Sequence, residues 1–188
     1  RGDGSFWWLL PAFFLTVIAV SVGLVARLFL SRFGRSYFKY IYNPVPRDRA
    51  EKVSYTLVRT ALFLGGVAVF FVVSITVIVI AAGEQTPARA TAATVCAGFT
   101  WYFFAKALFF NLFMPDAGSH RLVPFDDETA GRLYRQLMLL LMLLIITFEL
   151  CRWIMNFAVD ADIHSLLLIL LAVISAVEMI AYAAVHRR

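Results

Sequence analysis

Polar surface is the scarcest thing in this chain. Only 15% of its 188 residues are charged, 62% are hydrophobic and the mean hydropathy is +0.81, too little polar area to coat a soluble domain. The composition is that of an integral membrane protein. Period-two alternation is also missing, which excludes an outer-membrane barrel and leaves α-helices as the spans that satisfy their own backbone in lipid. The two cysteines, Cys96 and Cys151, sit inside apolar segments without the partners a zinc site needs. They read as reduced packing residues or as a buried disulfide. The three histidines, His120, His164 and His186, stand far apart on connectors or segment ends, where a solvated or interfacial role is expected. No nucleophile is placed beside a base, no His and carboxylate pair has metal spacing, and no glycine loop cradles a phosphate. The chain is therefore read as a non-enzyme without a cofactor.

What is present is a series of five long apolar segments, about 6–30, 57–83, 90–114, 131–155 and 164–185, within one transmembrane region covering 1–188. At 1.5 Å per residue each is long enough for a hydrocarbon layer of about 30 Å. The expected fold is all-α, a first span plus two helical hairpins. Trp7 and Trp8 open the first span as an interfacial anchor. After it comes a connector that interleaves cations and aromatics, Arg32, Arg35, Tyr37, Lys39, Tyr40 and Tyr42, and that is broken by Pro44 and Pro46. It suits anionic lipid headgroups. The seventeen Lys and Arg gather in connections between apolar segments, so the net charge of +5 is read as topology and not as nucleic-acid binding. Counting them by side places the N-terminus outside and the C-terminus in the cytoplasm. The chain begins at Arg1 without a secretory leader and reads as a piece of a longer protein.

Charges inside bilayer-length segments are the best functional pointers. An ionised side chain at membrane depth costs about 2.5 to 3.5 kcal/mol on insertion scales, so it faces protein or water and has a use. Four residues qualify: Lys106, Glu149, Arg152 and Glu178. Glu149 and Arg152 are three apart, share a helix face and can pair without help from another span. Three readings of that pair stand open: an ion pair that fixes packing, a group for gating, permeation or proton transfer, and a headgroup contact through Arg152. Glu178 has no basic neighbour three or four residues away and lies about 12 Å inside the end marked by His186. Lys106 lies about 7 to 8 Å inside the same face, and its stem either snorkels to the interface or brings the ammonium to Glu178.

Asp126, Asp127 and Glu128 precede a periodic apolar run and are placed at the cap and first turn of a helix. Ala93 with Ala97, and Ala172 with Ala176, are spaced for close helix approach. The pair Gly65 and Gly66 either bends the second span or makes a contact. The third span is dense in aromatics, among them Phe99, Trp101, Phe103, Phe104 and Phe110, which suit packing, lipid contact or sensing.

The stretch Arg121-Leu122-Val123-Pro124-Phe125-Asp126-Asp127, continuing through Ala130, Arg132, Leu133, Tyr134 and Arg135, resembles the extra N-terminal membrane region of larger bacterial mechanosensitive channels of the MscS type. The ending Ala183-Ala184-Val185-His186-Arg187-Arg188 is similar to the basic exit of a helix that precedes later spans in those proteins. Elsewhere the likeness is one of hydropathy and loop length. The resemblance implies a homo-oligomeric ion channel of the bacterial inner membrane, with lipids as partners and ions as the permeant species. In that family peripheral helices feel tension and pass it to a central pore helix followed by a β-containing vestibule. Neither pore helix nor vestibule lies in this sequence, so no pore residue carries over, and the implied role is tension sensing by hairpins such as 53–114 and 129–185. Two other classes stay in view. One is an ion- or proton-coupled transporter fragment using Glu149, Arg152 and Glu178, although no broken-helix pair or inverted repeat supports it. The other is a structural subunit of a larger membrane complex.

Overall fold

The computed structural model describes residues 6–38, 48–83, 86–114, 126–157 and 161–185, less some side chains near helix ends and on the last helix. Proline sets where the helices start. A 3-10 turn, Phe6–Trp8, leads into α1, Leu9–Phe38, with Pro11 in its first turn. Pro87 occupies the same place in α3, Thr86–Phe113. First-turn N–H groups have no intrahelical acceptor, so proline is tolerated there. Between them α2, Arg49–Ala82, stops at Gly83, whose φ of +51° lies in the region glycine enters without a Cβ penalty. The fourth helix, α4, spans Asp127–Phe157, and α5 spans Ala161–Val185. The acidic start expected for α4 is present: the Thr129 N–H donates to Asp126 Oδ2 at 2.9 Å, with Asp127 and Glu128 in the first turn.

Among the described residues no strand occurs. Leu9–Gly34, Arg49–Ala82, Pro87–Phe113 and Asp127–Asn156 are long and apolar enough to cross a membrane, while the apolar part of α5, Ser165–Ala181, is shorter. The chain is a helical multi-pass membrane protein. Each of α1 to α3 packs on the other two, α4 packs on α3, and α5 packs on α4.

Lipid is as apolar as a leucine side chain, so helices associate here through close packing and buried polar contacts. The first cluster joins Ala12, Leu15 and Ala19 of α1, Ile78 and Ala82 of α2, and Ala88, Ala92 and Cys96 of α3. A second joins Val67 and Phe70 of α2 to Phe103 of α3. At the α1–α2 crossing the Ser74 hydroxyl donates to the Ala19 carbonyl at 3.1 Å. One turn along, a Cβ on Gly23 would fall on Ser74 Oγ and stand 2.9 Å from the Phe70 ring, so only glycine permits this approach.

Several boundaries differ from the sequence reading. Helix α1 does not end at Leu30 but runs on to Phe38, so Arg32, Arg35 and Tyr37 belong to a helix and not to a connector. No proline interrupts the chain there before Pro44, and a fall in hydropathy ends a membrane span without ending a helix. For the same reason Arg49 and Lys52, which precede the expected span at 57–83, lie on α2, and Arg89, which precedes the one at 90–114, lies on α3. Lys39, Tyr40 and Tyr42 are outside the described residues. The close approaches are also made by other small residues than those expected. Ala172 and Ala176 are exposed and Ala93 and Ala97 half-buried, because the inward stripe of α3 is Ala88, Ala92 and Cys96.

Candidate functional site

Helix α4 meets α3 where Gly98 lacks a side chain, and Glu149 fills the notch: a Cβ on Gly98 would stand 3.4 Å from Glu149 Cγ. Gly98 lies about 18 Å along α3 from Thr86, well inside the helix. Glu149 is 7% exposed, and neither of its carboxyl oxygens accepts a hydrogen bond among the described residues. Its ionic neighbour is Arg152 on the same helix, with Nε 3.3 Å from Oε2 and its own side chain 40% exposed. A buried carboxylate ordinarily holds several donors. This one has, among the described residues, a single cation beside it.

One turn further along α4, Trp153 Nε1 donates to Thr91 Oγ1 of α3 at 2.9 Å, and the Thr91 hydroxyl donates to the Pro87 carbonyl at 2.9 Å. These bonds fix the rotation of α4 against α3. The Glu149 carboxyl is thus held at a defined height in the bundle.

A second group of charges lies toward the other end. Arg27 of α1 lays its stem against Gly66 of α2 and its guanidinium over the Phe103 ring of α3, 3.7 Å from the centroid. Arg59 of α2 is buried, with its guanidinium 5.1 Å from the Phe110 ring centroid and 5.9 Å from that of Phe63. Aromatic faces carry negative potential and hold desolvated cations. Both arginines went unrecognised as intramembrane groups, since each sits near the end of an apolar run and counts there as a topology signal. The readable sign was spacing: Ala19, Gly23 and Arg27 recur every four residues on one face of α1.

Of the residues singled out from the sequence, Glu149 and Arg152 come together. Lys106 is exposed on α3, whereas the side chain of Glu178, and with it the proposed contact between them, is outside the described residues. Trp7 is 78% exposed, while Trp8 is half-buried against the first cluster; Arg32 is exposed, and the Arg35 and Tyr37 side chains are not described. Cys96 and Cys151 are free and buried, so the disulfide alternative is removed. Gly66 makes a contact, with Arg27, and among the described residues nothing lies within 4 Å of a Cβ on Gly65.

Between α3, α4 and α5 runs an apolar groove of about 490 Å³, lined by Trp101, Phe104, Leu144, Phe148, Leu171 and Ser175 among others. It sits beside the Glu149 helix and lies within the size range of small-molecule sites. No family model, no curated protein and no solved structure matches the chain.

Proposed function

We propose that the chain is the tension-sensing transmembrane region of an MscS-like mechanosensitive channel, with five spans in the bacterial inner membrane, its N-terminus outside and its C-terminus in the cytoplasm. The observation that carries the reading is the apolar groove between α3, α4 and α5. An apolar recess beside a helix that packs chiefly on one neighbour gives a lipid chain a means of weighting one helix arrangement over another. Tension favours the arrangement with the larger in-plane area, and the occupancy of such a groove differs between arrangements. The broad apolar exteriors support the same reading: Leu166, Ile169 and Ile180 on α5 are each more than 60% exposed. The orientation draws on basic residues at one end, where Arg32 near the end of α1, Arg49 and Lys52 at the start of α2, and Arg132 and Arg135 at the start of α4 gather.

The test is patch-clamp recording of the natural protein in liposomes under graded suction, with Ser175→Trp placed to fill the groove. Stretch-activated current whose threshold moves in the variant at unchanged unitary conductance is the expected result. Absence of any tension-dependent current in the unsubstituted protein overturns the reading. Collapse of a solute or proton flux in Glu149→Gln, without tension dependence, identifies a transporter instead.

A further inference from the structure

The carboxyl group of Glu149 is built into a place where an anion is poorly served. It is buried between α3 and α4, both oxygens lack a hydrogen-bond donor among the described residues, and Arg152 stands at ion-pair distance without a hydrogen bond. An unpaired buried acceptor costs on the order of 1 to 3 kcal/mol, and more when charged. Binding one proton removes the charge and converts one oxygen into a donor. We propose that Glu149 is a proton-binding site in the membrane core, and that the proton it takes up releases Arg152 and loosens the α3–α4 contact at Gly98.

The proton comes from water and bonds to a carboxylate oxygen, with no other bond broken in the protein. Before uptake the pair is Glu149 carboxylate and Arg152 guanidinium, neutral together, and the arginine is drawn inward. After uptake the pair carries one positive charge on Arg152. That side chain is already 40% exposed and begins about 8 Å from the C-terminal end of α4, so it can snorkel toward headgroups. The carboxyl arm packs directly on Gly98, where no side chain buffers its movement, so a swing of the arm is felt by the α3 backbone.

The surroundings keep the site sensitive to that one proton. From its own helix Arg152 faces Glu149, with the buried thiol of Cys151 two residues away. From α3 it meets Gly98. The nearest ionisable side chains of that helix are Cys96, turned into the cluster with α1 and α2, Tyr102, half-buried against the second cluster, and Lys106, exposed two turns further on. From α5 the described polar residue at the adjoining groove is Ser175. The inference holds whether or not the helices transmit tension, because it concerns a proton equilibrium of the folded chain.

Infrared difference spectra of the reconstituted protein, recorded as pH is stepped across the range in which it stays folded, test it. The expected result is a carboxylic-acid C=O band that grows as pH falls, is lost in Glu149→Gln and is shifted in Glu149→Asp. Spin labels on α3 and α4 should report a pH-dependent distance change in the unsubstituted protein. A spectrum with no Glu149-dependent acid band at any pH means a permanently ionised pair and overturns the proposal. A band that never changes means a permanently protonated acid and overturns it equally. Glu149→Asp keeps the acid and supplies the assignment if Glu149→Gln fails to accumulate.

Discussion

The guanidinium of Arg27 rests 3.7 Å from the centre of the Phe103 ring, tying the first transmembrane helix to the third across a gap that Gly66 leaves open in the second. Desolvated cation–π contacts are worth about 2 kcal/mol. Phe103→Leu and Arg27→Met should each destabilise the detergent-solubilised protein, and a double-mutant cycle should give a coupling of about 1 to 2 kcal/mol. Additive losses would show that the two residues act separately.

Gly23 and Gly65 lie on paired helices and should respond in opposite ways to the same substitution. Gly23→Ala drives a methyl into Ser74 and Phe70, an overpacking expected to destabilise by about 1 to 3 kcal/mol. Adding Ser74→Ala should return part of the loss by clearing the nearest atom. Gly65→Ala meets open space and should be neutral or slightly stabilising, by up to about 1 kcal/mol of helix propensity. Unfolding midpoints in mixed micelles measure all three.

At the start of α4 two polar interactions invite a ranking. Asp126 caps the helix through the Thr129 N–H, and Asp126→Ala should cost about 1 kcal/mol. Glu128 and Arg132 form an ion pair at 2.8 Å with side chains 80% and 62% exposed, so Glu128→Gln should change stability by less than about 0.5 kcal/mol, and less still in high salt.

Cys96 and Cys151 are buried on the membrane-spanning parts of α3 and α4, and a thiol must ionise to react with maleimide. Both should resist labelling in the folded protein and label together on denaturation. Labelling of either one in intact vesicles would mean that water reaches it.

The helical membrane class of the molecule was legible because hydropathy averages over many residues and tolerates error at any one of them. The cap at Asp126 was legible because it depends on local backbone geometry alone. Glu149 and Arg152 could be paired in advance for the same reason, as neighbours on one helix. What could not be read were relationships between helices. Nothing in the sequence distinguishes Gly98, opposite Glu149, from Gly65, opposite nothing. The inward stripe Ala88, Ala92 and Cys96 differs from its neighbour Ala93 and Ala97 by one residue of rotation, about 100°, which helix packing alone decides. Helices α1 and α2 extend beyond the expected spans because a membrane boundary is a property of hydropathy whereas a helix boundary is a property of the backbone.

Three helices that each touch the other two form a triangle, and α4 with α5 hangs from one corner of it. Viewed as a framework, the triangle cannot shear unless one of its sides changes length, and its α1–α2 side is set by the close approach of Ala19 and Gly23 to Ser74 and Phe70. The arm has no such closure. A sideways load on α5 therefore reaches the triangle where α4 meets α3, at Gly98, Thr91 and Trp153.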